Sequence, residues 1–150
     1  MSVPYEDFYK ESIASGSVCH GSLTYHSTIF CVDPDNTQQI AVTGFQKCCI
    51  GLQFTDLYQF LRKAMEKNNW DTAFGKSIID AYSSVKPLSE LELRLLYVLI
   101  LFPEKFWKIT NFYYNNRKSW ISQKNLQKLK DIYEQQELKH IFLNQVLPQQ

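Results

Sequence analysis

Cys19-His20-Gly21-Ser22-Leu23-Thr24-Tyr25-His26-Ser27 is the stretch on which the fold turns. Residues 18–20 are a short β candidate that runs into a His-Gly turn, where glycine frees the backbone. A hydroxyl-rich run follows, and residues 27–32 are a second β candidate. Pro34-Asp35-Asn36 has turn chemistry, and Gln38–Thr43 can return as a strand, so Ser27–Thr43 is expected to form a hairpin. The segment Gly44–Gln53 is expected to be irregular, with Phe45 inside a second loop, Thr43-Gly44-Phe45-Gln46. Upstream, Pro4–Ser15 is expected to be helical. Tyr5, Phe8, Tyr9 and Ile13 fall on one face of it, and Gly16 sits at the stop position.

Downstream of the second loop the pattern becomes helical. Thr55 can cap a helix to about Lys67 with Leu57, Phe60, Leu61 and Met65 inward. Asp71 can cap the next, to about Val85, before Pro87. Ser89-Glu90-Leu91-Glu92 has capping-box spacing. The helix it opens turns apolar on all sides from Leu95 and is expected to be the most buried one. Pro103 starts another helix through Asn115. Ser122 opens a last one, expected to run unbroken to about Leu147 with Leu126, Leu129, Ile132, Tyr133, Leu138, Ile141 and Phe142 as its stripe. The end of that helix, Ile141 to Leu147, can pack on the core or face a partner.

Composition excludes several classes. The 150 residues are 45% hydrophobic, 15% aromatic and 21% charged, which is the profile of one globular domain and not of a disordered or fibrous chain. A net charge of +1 argues against polyanion binding by bulk charge. Leu95–Phe102 is too short to span a bilayer, which takes about 20 residues. Glu6, Asp7 and Glu11 stand where a signal peptide would need an apolar run, so the expectation is a chain that is not secreted. Cys19, Cys31, Cys48 and Cys49 then read as free thiols. With His20 and His26 they match no paired zinc spacing, so no metal is expected.

The order strand, His-Gly loop, hairpin, Phe-centred loop resembles the two catalytic loops of the protein-kinase-like fold, in its aminoglycoside and choline phosphotransferase branch. Further segments resemble bacterial spore coat kinase-like proteins of the CotS family. These are Tyr5-x-x-Phe8-Tyr9, Gly16–Gly21, Thr55–Lys63, Phe102–Lys108, Tyr113-Tyr114-Asn115 and Lys118–Ser122. The implied fold is α+β and mostly helical: a small β-hairpin plus a helical bundle, like the C-terminal lobe of such a phosphotransferase. It is expected as a single domain over residues 1–150, without the nucleotide-binding lobe, since only 19 residues precede His20.

In the resembled proteins the first loop carries a proton-accepting aspartate and a magnesium-binding asparagine, and the second a magnesium-gripping aspartate with a later acidic partner. Those positions fall here on Ser22, Ser27, Gly44 and Gln46. A serine hydroxyl is a poor proton acceptor near neutral pH, and losing a general base typically costs about 10²–10⁴-fold in rate. Glycine offers no oxygen to a cation that prefers carboxylates. None of the five glycines lies in a phosphate-cradling pattern. His20 is expected to brace its loop through backbone hydrogen bonds. Asp56 is expected to cap its helix and tie the His-Gly loop down.

The resemblance therefore implies a catalytically inactive spore coat protein, a structural or coat-assembly module without cofactor, metal, membrane or nucleic acid. Its partners would be other protein chains, spore coat proteins or further copies of itself, and its place the mother-cell cytoplasm and the spore coat. Two alternatives from other classes stand beside this. One is half of a split phosphotransferase completed by a separate nucleotide-binding chain. The other is a nucleic-acid binder, because residues 103–130 hold seven Lys or Arg against one acid, interleaved with Phe106, Trp107, Phe112, Tyr113, Tyr114 and Trp120. Helical spacing of Phe106, Ile109, Phe112 and Tyr113 places many of those aromatics in the core instead. Ser22 with His20 or His26, and Cys19, lack the surroundings of a nucleophile. A decayed remnant without function is a further possibility.

Overall fold

The computed structural model describes residues 5–14, 16–115 and 121–147. The expected helix ends Pro4 and Ser15, and the segment Lys118-Ser119-Trp120, lie outside the described residues. The elements are α1 (Tyr5–Ala14), β1 (Val18–Cys19), β2 (Thr28–Val32), β3 (Gln38–Val42), β4 (Cys49–Ile50), α2 (Phe54–Lys67), α3 (Thr72–Val85), α4 (Glu90–Leu101), α5 (Glu104–Asn115), α6 (Gln123–Glu134) and α7 (Gln136–Val146). Single 3₁₀ turns cover Tyr25–Ser27 and Phe45–Lys47. The chain divides into two compact units, Met1–Ala64 and Met65–Gln150.

In the first unit two short antiparallel pairs frame the loops. Strands β2 and β3 form the expected hairpin, with Phe30 opposite Ile40. Its turn closes through Asn36 donating to the Asp33 carbonyl and Asp33 to the Thr37 carbonyl. Asn36 takes the left-handed conformation that Asn tolerates, at φ 66°. The segment expected to be irregular contains β4, which pairs with β1 so that Cys19 faces Cys49. Cys19 and the apolar face of α2, Leu57 and Leu61, are buried with Leu52 and Phe54. Helix α2 begins one residue before the expected cap. Thr55 lies inside its first turn and its hydroxyl donates to the Leu52 carbonyl instead.

The second unit is helical. Asp71 caps α3 through the Phe74 amide, and Ser89 and Glu92 form the full capping box of α4. Helix α3 packs on α7 at Gly75, where an added Cβ would lie 2.4 Å from the Phe142 ring. Three expectations are corrected here. Helix α4, which packs against α7, is not the most buried helix: Glu92, Leu96 and Ile100 form its one buried stripe while Val98 and Leu101 are exposed, whereas α2 buries Phe54, Leu57, Leu61, Ala64 and Met65. The last helix is not continuous. It breaks at Gln135, whose side-chain amide donates to the Glu66 carbonyl and the Asn69 amide oxygen at the end of α2. Of its expected stripe, Leu126, Tyr133, Leu138 and Ile141 are exposed, and burial falls on Phe142, Leu143 and Leu147. On α5 only Ile109 is buried; Phe106, Trp107, Phe112 and Tyr114 are exposed, so these aromatics are not core.

Candidate functional site

The His-Gly loop is held from α2. The Asp56 carboxylate, buried on the first turn of that helix, accepts the His20 amide at 2.5 Å and the Gly21 amide at 2.9 Å. One carboxylate thus satisfies two consecutive backbone donors at a sharp turn, and charge makes both bonds strong. Gln59, one turn further along α2, donates its amide to the Gly21 carbonyl. Gly21 has φ +76°, and a Cβ there would lie 2.1 Å from the Lys47 carbonyl oxygen. Two independent constraints therefore require glycine, one conformational and one steric.

His20 joins the first loop to the second. Its Nε2 lies 2.8 Å from the Thr43 carbonyl, and its Nδ1 accepts the Ser22 amide at 3.3 Å. A carbonyl can only accept and an amide can only donate, so the partners assign the proton to Nε2. The imidazole is buried, and the Phe45 ring lies against it with centroids 4.7 Å apart. Gly44 occupies the left-handed region at φ +88°. A Cβ there would meet nothing closer than the Gln46 side-chain oxygen at 3.7 Å and His20 Cε1 at 3.9 Å. Ser22 Oγ lies 3.5 Å from His20 Nδ1, and Ser27 Oγ donates to the Ser22 carbonyl at 3.3 Å.

His20, Ser22, Ser27, Gly44 and Gln46, scattered over 27 residues of sequence, are thus gathered at one place. Together they offer two hydroxyls, one amide and one imidazole, and no carboxylate. The Ser27 hydroxyl donates to its own loop. This donor set does not fit magnesium, which is bound through carboxylates and phosphates. Among the described residues no group of three or more His, Cys, Asp or Glu is placed to hold a metal ion. Cys19 is buried; Cys31, Cys48 and Cys49 are exposed free thiols. Gln59 and the Lys47 carbonyl complete the loop without any motif of their own in the sequence. Gln59 was findable, because it stands three residues after Asp56 and so on the same helix face. The Lys47 contact runs through backbone and left no mark beyond the glycine itself.

Strand, His-Gly loop, hairpin, Phe-centred loop and helices in this order define a kinase-like phosphotransferase fold. The crystal structure of an aminoglycoside phosphotransferase from Alicyclobacillus acidocaldarius superposes with a TM-score of 0.82 over 97% of this chain and 42% of that one, at 19% identity. Within that fold the chain belongs to the family described as "Spore coat putative kinase YutH", whose model matches residues 6–146. It is similar to Spore coat protein S of Bacillus subtilis, 29% identical over 145 residues, 95% of this chain and 40% of that relative. The chain therefore spans about two fifths of the length of each protein it matches. Among the described residues no helix is long and apolar enough to cross a membrane.

Proposed function

We propose that this chain is a catalytically inactive kinase-like protein that serves the spore coat as a structural or assembly module. The observation that supports this most is the content of the gathered site. Ser22, Ser27, Gly44 and Gln46 stand where the fold family places its base and its magnesium ligands, and none is a carboxylate. Phosphoryl transfer depends on positioning and on charge stabilisation by the metal, so the loss acts on the main catalytic effects at once. The His20 ring bonds the Thr43 carbonyl and the Ser22 amide, which braces two loops and leaves no ring nitrogen to serve as a base. Membership in a spore coat family supports the location in the coat.

The test is the thermal midpoint with and without millimolar ATP and magnesium, alongside transfer of the γ-phosphate in the same buffer. A ligand held only by the native state at 100 times its Kd would add about 2.7 kcal/mol, several degrees for a chain of this size. No shift and no transfer are expected, with a cooperative transition in both arms. Measurable transfer would overturn the reading. A shift without transfer would retain the inactive reading and replace the purely structural role with a nucleotide-sensing one.

A further inference from the structure

The hairpin of the first unit is built to be paired. From Thr28 to Val32 and from Gln38 to Val42 it carries no charge, no proline and no glycine. Soluble proteins usually blunt a free strand edge with those residues, and an unguarded edge invites another strand. Residues directly opposite share a face, so Phe30, Val32, Ile40 and Val42 lie on one side of this two-stranded sheet. All four are exposed, Phe30 to 77%. A two-stranded sheet in water is only marginally stable unless a further strand or layer covers it.

The hydrogen-bond parity identifies the open edge of β2. Thr43 donates to the Ser27 carbonyl and Asp33 to the Thr37 carbonyl, so the odd-numbered residues of β2 direct their backbone groups at β3. The even-numbered residues Thr28, Phe30 and Val32 therefore direct their N–H and C=O groups outward. That outward set is symmetric about Phe30. An antiparallel copy of the same strand, turned about a two-fold axis at Phe30, meets it donor to acceptor: Phe30 faces its own equivalent, and Thr28 faces Val32. The strand has no charge to repel itself. The nearest acid, Asp33, comes opposite Ser27 of the second copy and next to His26, away from the other Asp33. The backbone ladder is open to any extended strand; a second copy adds side chains that meet without charge repulsion and that continue the same exposed apolar face of Phe30, Val32, Ile40 and Val42.

We propose that this protein self-associates through β2, two copies joining their hairpins into one four-stranded antiparallel sheet in the order β3-β2-β2-β3. The joined sheet doubles the apolar face of Phe30, Val32, Ile40 and Val42 and converts two open edges into ladder. The proposal names the partner surface of the module proposed above and rests on that reading. Inactivity is read by phosphate transfer and association by mass, so each can fail without the other.

The experiment is sedimentation equilibrium of the full chain from about 1 to 500 μM, a range that brackets weak and moderate association. Dimers are expected at the upper end. Phe30→Lys, which guards the edge, is expected to weaken association at least about tenfold while helical circular dichroism is retained. In case that variant is simply misfolded, Phe30→Cys is made in a Cys31→Ser, Cys48→Ser, Cys49→Ser background that keeps buried Cys19. Paired positions sit within disulfide reach, at Cα separations of about 5.5 Å. Mild oxidation should therefore link Phe30→Cys into dimers, and should not link Gln39→Cys, which faces Cys31 within the hairpin. A monomer throughout the range overturns the proposal. So does a dimer that Phe30→Lys leaves intact, or cross-linking that is equal at positions 30 and 39.

Discussion

Asp56 shows how much one side chain holds. Its carboxylate takes the buried His20 amide and the part-buried Gly21 amide, and removing it strands both donors. Asp56→Ala is expected to lower stability by about 2–4 kcal/mol in chemical denaturation, from about 1–3 kcal/mol for the buried His20 amide and about 1 kcal/mol for the part-buried Gly21 amide. Gly21→Ala is expected to cost at least about 2 kcal/mol, since it combines a left-handed φ with a clash against backbone. Asp35 offers a pH readout. The Thr37 hydroxyl bond, then the Thr37 amide bond, hold its carboxyl below the ordinary carboxylate range. Because folding lowers this pKa, the stabilisation is present above the unfolded value and is lost as pH falls through the folded one. A carboxyl-carbon NMR titration is expected to show Asp35 ionising below the usual range, and Thr37→Val to move it back up. The loop residues were legible because His-Gly followed by an acid on the next helix carries its own logic. Trp70 was not: it is buried at φ 56°, against the Phe142 ring and beneath Lys139, and only the packed second unit explains it.

At the scale of elements, local chemistry was readable and tertiary choice was not. The Asp71 cap and the Ser89–Glu92 capping box needed only neighbours in sequence. Ser89→Ala is accordingly expected to cost about 1 kcal/mol, measured as the shift in denaturation midpoint at constant slope. The break between α6 and α7 contains neither glycine nor proline. It is set by Gln135 reaching the end of α2, a contact with sequence separations of 69 and 66 that no local pattern encodes. Helix α4 shows the opposite: its composition is apolar, but burial is confined to the Glu92, Leu96 and Ile100 stripe, and no local pattern says which side a neighbour will cover. Gly75 sets two effects against each other. Alanine would gain about 1 kcal/mol of helix propensity, yet its Cβ would lie 2.4 Å from the Phe142 ring and 2.7 Å from Met65 Cε. Met65 can swing its methyl aside. Phe142 is fully buried against Trp70 and cannot, and overpacking costs about 1–3 kcal/mol, so Gly75→Ala is expected to destabilise on balance.

At the scale of the molecule, a catalytic site is more than its reacting residues. The architecture of the loops rests on groups other than the candidate site side chains. Asp56, Gly21 and the His20 ring fix the backbone, while the Ser22 and Ser27 hydroxyls add only contacts of 3.5 and 3.3 Å. The sequence singles these positions out only through the resemblance, and their convergence on His20 comes from the fold. Placing the resembled proteins' carboxylates and asparagine at these positions is therefore structurally feasible. Position 44 has room for a side chain, and the strain of a side chain at its φ of +88° is one that aspartate tolerates better than most residues. Ser27→Asn gives up a 3.3 Å bond to the Ser22 carbonyl that is long for a hydroxyl donor. The triple variant Ser22→Asp, Ser27→Asn, Gly44→Asp is thus expected to fold, with its thermal midpoint within several degrees of the parent. It is nevertheless expected to transfer no phosphate from ATP to water or to a small alcohol. Transfer also needs the triphosphate held in line, and none of the glycines at 16, 21, 44, 51 and 75 builds a phosphate cradle. Turnover by this variant above the parent's background would show that these 150 residues position nucleotide by themselves, and would overturn the proposed inactive reading.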